Sequence, residues 1–542
     1  MVLRGTIGTD GMALPIATSL VVVAWTVVAF FVYRDYRVNL LANLRHRALD
    51  PSELAIEGSS TLEAIHRLVD SPDERDVRLG LDTLTATGHE DLHACLLSLA
   101  TDDRASVRSD VLDRLVSVDP IAAASVARRG LVDPNPEVRA ASVRTLGLVG
   151  RAADLDSISA RLEDPSAEVQ VAAVTSMFEL GGDAASARVS LEVEALVGHE
   201  SSEGLIVAAR MLGACDHGAS IDRSLLSTLL SAADHDLVNA ALRAIRWPDD
   251  AGALHDVMRH LDHRSTAEAA VDALARSGDT ALSLADEGLR GNFHLGQHGC
   301  EQLARVCRVT GGSKAADVLR RHVEHRDREV GLAVMNALAV IVTGMTTSEE
   351  SVLRADLEHA CHVVRAIVTL EHSPGAGALR EALRDELDLL RRRVLAVLSI
   401  HHGVGELNTV GFQLAQQSTN LHSIAMEWLD VTLVGIERPS LALLEPRASL
   451  ADRHASLTRW FPLPSISPET VLIDVVEDPD DRWRRPWLTA CALLAGADSP
   501  ELGLEHLAET LRESPVEEHR HHWHIVSDTI AGIRRRRSLE AA

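Results

Sequence analysis

The sequence predicts an all-α fold: a right-handed α-solenoid of stacked helical hairpins, preceded by one N-terminal transmembrane helix. Three observations predict it. Similar segments recur at intervals of 30 or 31 residues from about residue 57 to about residue 181, and in degenerate form beyond. Hydrophobic residues make up 46% of the chain but aromatic residues only 3%, and small aliphatic side chains suit closely packed helices better than a β-sandwich. One run, Met12 to Val32, stays uncharged and mostly apolar over 21 residues. At about 1.5 Å per residue, such a helix crosses a hydrocarbon core of about 30 Å.

The membrane segment has the features of an uncleaved anchor. Pro15 stands near its start, where a helix tolerates it, and Tyr33 and Tyr36 follow at the headgroup boundary. A cleaved signal peptide is the competing reading. It fits poorly, because charges follow the run at once and no small-residue cleavage site intervenes. Arg4 precedes the run, whereas Arg34, Arg37, Arg45 and Arg47 follow it. The positive-inside rule therefore places the long C-terminal part in the cytoplasm, with the chain a single-pass protein of the cell membrane. Val38, Leu41 and Leu44 fall near one stripe, as in a helix lying on the bilayer surface.

The repeat is clearest in LVDPNPEVRAASVRTLGLVG, residues 131–150, and LEDPSAEVQVAAVTSMFELG, residues 162–181. Arg78, Arg108, Arg139 and Gln170 occupy equivalent positions 30, 31 and 31 residues apart. Asp133-Pro134 stops one helix, because proline keeps its predecessor out of the helical region. Asn135 caps the next helix, Pro136 fits its first turn, and Glu137 complements the positive end of its dipole. Val138, Ala141, Leu146 and Val149 then form an apolar stripe, and Gly150 ends the helix. A single hairpin cannot bury such a stripe, so neighbours must stack.

The pattern D-P-x-x-x-V-R followed by A-A and L-G resembles the HEAT repeat. The resemblance implies an inter-repeat ladder of turn aspartates and helix arginines. It assigns those roles to Asp133 with Arg139 and to Asp102 or Asp103 with Arg108. Asp164 takes the aspartate position in the next unit, where Gln170 breaks the arginine series. Residues 475–496 return to the turn, with Asp478-Pro479 and with Trp483-Arg484 in the Val-Arg place, so Asp478 and Arg484 join the ladder. There Pro486 is expected to kink the second helix. The order of an apolar helix, repeats, and the segment 389–496 resembles the cytoplasmic HEAT region of bacterial major-facilitator proteins of the nucleotide-translocase-like kind. The other transmembrane helices of that family are missing, and no cyclic-nucleotide domain follows, so transport is not implied.

The resulting map has a short extracytoplasmic N-terminus at 1–11, a transmembrane helix at 12–33, and a juxtamembrane helix and linker at 34–56. HEAT-like repeats fill 57–345. Longer helices and degenerate repeats occupy 346–470, a terminal HEAT-like unit 471–530, and a basic tail 531–542.

Chemistry is sparse. The net charge of −26 repels phosphate backbones, so no nucleic-acid partner is expected. Arg534 to Arg537 read as a solvated basic tail, or as an attraction to anionic lipid headgroups. The six cysteines are scattered without a CxxC pair, which suits helix interiors in a reducing compartment. His89 to His93 spell H-E-x-x-H, a zinc motif when both histidines share a helix face. Here the motif begins at a repeat boundary, after Gly88, so His89 is expected in a turn. His519 and His522, in a dense histidine run, are a second candidate metal pair at i, i+3 spacing. His359, Cys361 and His362 form another small group, which helix packing explains. There is no phosphate-binding glycine loop and no nucleophile elbow. The expectation is a membrane-anchored scaffold without catalytic residues or cofactor, binding a protein partner at the cytoplasmic face. The alternatives are a regulatory subunit or split-off tail of a transporter-like polytopic membrane protein, and a zinc-dependent enzyme.

Overall fold

Every regular element is a helix among the residues that the computed structural model describes. These are 59–181, 183–198, 201–215, 222–247, 250–403, 407, 419–478, 480, 482–483, 485–511 and 523–540. The expected extracytoplasmic N-terminus, transmembrane helix and juxtamembrane segment, residues 1–56, lie outside them. Among the described residues no helix is long and apolar enough to cross a membrane. The chain divides into two compact units, Met1–Leu229 and Leu230–Ala542. That division falls inside the segment expected to be one repeat region, 57–345, and not at its end.

The first unit is a succession of hairpins: α1 (Ser59–Val69), α2 (Glu74–Thr87), α3 (Asp91–Leu99), α4 (Ala105–Val118), α5 (Pro120–Gly130), α6 (Pro136–Val149), α7 (Ala167–Gly181), α8 (Asp183–Gly198) and α9 (Ser202–Ala214). Short helical pieces at 152–163 link α6 to α7. The helices begin where the sequence supplies acceptors for their first free N–H groups. Asp73 accepts from the Arg75 amide, Asp119 from those of Ile121 and Ala122, and Asn135 from that of Glu137. Pro120 and Pro136 fill first-turn positions that need no donor. Gly88 adopts φ +60 and closes α2 by donating to the Leu84 and Thr85 carbonyls. Of the apolar stripe in α6, Val138, Ala141 and Leu146 are buried and Val149 is half-buried.

Small residues set how closely successive hairpins stack. A Cβ on Gly147 would lie 2.5 Å from Ser176 Oγ and 2.7 Å from Ser176 Cβ of α7. Ser176 in turn donates to the Val143 carbonyl across the interface, at 2.9 Å. Ala140 and Ala141 are fully buried beside it.

The second unit contains α10 (His235–Ala244), α11 (Ala267–Ala275), α12 (Asp279–Leu289), α13 (Gln297–Thr310), α14 (Gly312–Arg321) and α15 (Arg328–Ile341). Two long helices follow, α16 (Thr347–Thr369) and α17 (Gly377–His402), with α17 packed against both α15 and α16. The remainder comprises α18 (Thr419–Thr432), α19 (Leu450–Thr458), α20 (Pro468–Glu477), α21 (Pro486–Ala495), α22 (Leu504–Leu511) and α23 (Trp523–Glu540). Two expectations are corrected here. Pro486 does not kink a helix; it occupies the first turn of α21, where its missing N–H is harmless. The basic residues do not begin a separate tail at 531, because α23 runs unbroken through that point.

Substituting Gly147 by alanine should overpack the α6–α7 interface and cost about 1–3 kcal/mol. Thermal denaturation of Gly147→Ala should show a lowered Tm, and Gly147→Ala with Ser176→Gly should recover part of the loss. An unchanged Tm in the single variant would contradict this packing.

Candidate functional site

Three aspartates one repeat apart, Asp102, Asp133 and Asp164, each accept the backbone N–H two residues on, from Arg104, Asn135 and Ser166. That bond fixes the carboxylate at the turn, where an arginine of the preceding hairpin can reach it. Arg108 donates to both oxygens of Asp133, at 3.0 and 2.8 Å. Arg139 donates to both oxygens of Asp164, at 2.9 Å each. The third nitrogen of each guanidinium turns back to its own hairpin. Arg108 Nη1 donates to the Asp102 and Asp103 carbonyls, and Arg139 Nη1 to those of Asp133 and Pro134. Each arginine therefore meets its own turn at the backbone and the next turn at the carboxylate. The rungs run Arg108–Asp133 and Arg139–Asp164. They do not pair carboxylate and arginine within one unit.

The series stops at both ends for local reasons. Asp102 is held by Arg104, which also donates to the Ser71 carbonyl. At the other end Gln170 has no guanidinium to offer. Asp164 shows the electrostatic result: burial raises its pKa, but Arg139 and the Ser166 amide outweigh that and hold it below the usual carboxylate range.

The two histidines of the H-E-x-x-H motif are engaged with different partners. His89 lies in the turn before α3, where its Nδ1 accepts the Asp91 amide, whereas His93 lies on α3 and pairs with Asp119 at 3.0 Å. The two imidazoles serve different partners. His519, His522 and Arg484 lie outside the described residues. Asp478 is described, at the end of α20. It adopts φ 42, and its carboxylate accepts the Arg482 and Trp483 amides at 2.6 and 2.9 Å.

In the second unit a buried ionic cluster takes over the linking role. Glu386 of α17 is fully buried. Arg328 donates to it at 2.8 Å, His359 Nε2 lies 3.2 Å from the same oxygen, and Arg485 Nε lies 3.1 Å from the other. Arg393 binds Asp356 through two contacts of 3.2 and 2.9 Å and also donates to the Arg328 carbonyl. Arg328 donates to the Arg482 carbonyl, and Trp483 packs edge-on against the His359 ring. His362 Nδ1 accepts from both Arg365 and Arg482. These contacts tie α15, α16 and α17 to the turn before α21.

The electrostatics follow from burial and neighbouring charge. Burial, opposed by Glu386, pushes His359 down to about 4. Burial with Arg482 and Arg365 beside it pushes His362 down to about 3. Glu386 resists its burial through His359, Arg328 and Arg485 and stays below the ordinary glutamate value. The sequence marked His359 and His362, and their proximity in one helix was legible. The partners were not, because Glu386 and Arg328 sit in ordinary amphipathic helix patterns and the pairing spans 58 residues.

All six cysteines are free thiols, five of them buried and Cys300 half-buried. Burial pushes Cys300 to about 11 and Cys307 to about 12, which keeps them un-ionised and unreactive at neutral pH. The arginines expected as a basic tail are engaged within the chain. Arg534 pairs with Glu505 and Glu509, Arg536 with Asp498, and Arg537 with Glu505. The cleft they help line holds about 250 Å³, below the range of about 300–1,000 Å³ usual for small-molecule sites.

No protein-family model matches the chain, and no curated protein does. Among solved structures the chain is similar to Kap121p, with 10% identity and a TM-score of 0.29, covering 88% of this chain and 62% of that one. It is also similar to an engineered protein, with 16% identity and a TM-score of 0.19, covering 87% and 98% of the two chains. The chain thus spans less than two thirds of the Kap121p chain. Neither likeness bears on activity.

Removing a rung should destabilise the first unit. Arg139→Ala leaves a carboxylate only 3% exposed without its counter-ion, a loss of about 3 kcal/mol. Arg139→Lys should recover only part of this, since a lysine cannot present the two-pronged donor. Arg188→Ala breaks the exposed pair with Glu163 and should change stability by less than about 0.5 kcal/mol. Denaturant melts that rank the three variants otherwise would refute the assignment.

The second unit should also be acid-labile. His359 and His362 titrate lower in the folded chain than their ordinary 6.5, so the unfolded chain takes up protons first. Their contribution is complete above pH 6.5 and is lost as pH falls toward 4. The Tm should drop by roughly 5–10 °C between pH 7 and pH 4.5. The slope should flatten in His359→Gln with His362→Gln, whose amides keep the hydrogen bonds without titrating.

Proposed function

We propose that the chain is a membrane-anchored HEAT-type scaffold that binds a protein partner at the cytoplasmic face of the cell membrane. One observation carries the reading: a 21-residue uncharged segment and an array of ionically braced hairpins belong to the same chain. The hairpins use their buried charges on one another, in rungs and in the Glu386 cluster. What is left for recognition is the extended outer surface of the helices, which suits contact with a polypeptide. The net charge of −26 favours a partner with a basic contact surface and makes the association salt-sensitive.

A second reading, a regulatory subunit of a transporter-like membrane protein, is favoured by the order of the apolar segment, the repeats and the segment 389–496. The two readings separate on the identity of the partner, soluble in the first and polytopic in the second.

Alkaline carbonate extraction tests the anchor. The intact chain should stay with the membrane pellet, and a chain lacking residues 12–32 should move to the supernatant. Release of the intact chain would overturn the anchor. Crosslinking in native membranes at low salt should then capture a protein adduct whose yield falls as salt rises. Monomer alone under all conditions would overturn the scaffold.

A further inference from the structure

We propose that His401, His402 and Glu437 form a binding site for a divalent transition-metal ion, with Zn²⁺ as the natural occupant. The two histidines end α17, which Gly403 closes at φ +94. Glu437 lies on the 435–440 turn, 35 residues further along the chain. His401 Nδ1 is 2.6 Å from Glu437 Oε1, and His402 Nε2 is 3.2 and 3.1 Å from its two oxygens. The three ligand atoms lie within 4.8 Å of one another. Tetrahedral zinc, with bonds of about 2.0–2.2 Å, needs them roughly 3.3 Å apart, so small side-chain rotations suffice.

The charge balance at Glu437 points to a cation. Three glutamates are buried among the described residues: Glu349, Glu386 and Glu437. Arg320 neutralises Glu349, and Arg328 with Arg485 neutralises Glu386. Glu437, only 2% exposed, has two imidazoles and no guanidinium among its described partners. Imidazole, unlike guanidinium, is not a permanent counter-ion, so this buried carboxylate lacks the fixed positive charge that the other two have. A divalent ion repairs this, because it takes the deprotonated nitrogens and the carboxylate together. Two nitrogens and one oxygen are a donor set for zinc, copper or nickel, whereas magnesium and calcium prefer oxygen ligands.

Access and rigidity agree. The His401 side chain is 43% exposed, which gives the ion a path and leaves a fourth position for water. The His402 ring is braced edge-on by Trp428 of α18 at 6.4 Å. Such an ion would clamp the end of α17 to the 435–440 turn and α18. It is a separate matter from the H-E-x-x-H motif, whose histidines diverge, and it does not rest on the scaffold reading.

The test is a ZnCl₂ titration of the full chain in mild detergent after chelator treatment. His519, His521, His522 and His524 are changed to glutamine in every sample, so that their run contributes no site. One equivalent of Zn²⁺ should bind and raise the Tm. Co²⁺ in its place should give visible d–d absorption. Glu437→Gln and His402→Gln should each weaken binding by about tenfold or more, while His89→Gln with His93→Gln changes nothing. Should the variants at the two more buried positions fail to fold, His401→Gln at the exposed position decides, with the same expected loss. No bound metal in the parent chain, or undiminished binding in His401→Gln and Glu437→Gln, would overturn the site.

Discussion

The first unit depends on one bond pattern, a guanidinium that grips the backbone of its own turn and the carboxylate of the next. A hairpin of some thirty residues has an apolar face that only a neighbour can cover. Hydrophobic contact supplies the energy but is indifferent to register. A two-pronged arginine fixes register, because its carboxylate is itself pinned by the amide two residues on. Shifting one hairpin by a residue would break both prongs while leaving much of the apolar contact. Gly147 and Ser176 act in the same direction, since their close approach tolerates little sliding.

In the second unit the same problem has a different solution. α16 and α17, of 23 and 26 residues, are longer than the earlier helices, and their linking charges are internal to the core. Glu386 gathers Arg328, His359 and Arg485 from three places in the chain. Asp356 and Arg393 form a second, nearly dry pair whose carboxylate burial pushes upward despite its arginine. Buried pairs of this kind gain little net stability, because desolvation opposes their attraction. Their consequence is that mispaired arrangements are penalised strongly, as each would strand a charge. That brings acid sensitivity, since two of the participants are neutral imidazoles.

The difference between the units explains what the sequence revealed. The rung residues were legible because Asp102, Asp133 and Asp164 recur at 31-residue intervals, with Arg108 and Arg139 six residues after the aspartate. Periodicity exposes any interaction that repeats. Its direction was less visible: the same spacing allows an arginine to pair within its unit or with the next, and only the turn geometry decides. The Glu386 cluster does not repeat, and the partners of Glu386 sit 27, 58 and 99 residues from it in the chain. Pro486 was misread because the turn was aligned on Trp483 and Arg484, which put the helix start too early. The helix begins at the proline itself. Arg534, Arg536 and Arg537 look free in the sequence because their partners, Glu505, Glu509 and Asp498, lie on the preceding elements.

The histidine doublet His401-His402 carried no spacing signal at all, yet it is the place where the pattern of the second unit breaks. In the same unit the buried Asp286, Glu349, Asp356 and Glu386 each pair with arginine, the abundant cation of a chain with only one lysine, Lys314. A guanidinium at Glu437 would serve as a permanent counter-ion, and the chain shows many ways of placing one. Two imidazoles hold the carboxylate instead. Unlike arginine, imidazole can be neutral at physiological pH and can coordinate a metal. The substitution of a conditional partner for a permanent one makes the link between α17 and the 435–440 turn depend on what the solution supplies. A pair built on arginine alone, such as Asp356 with Arg393, does not share that dependence.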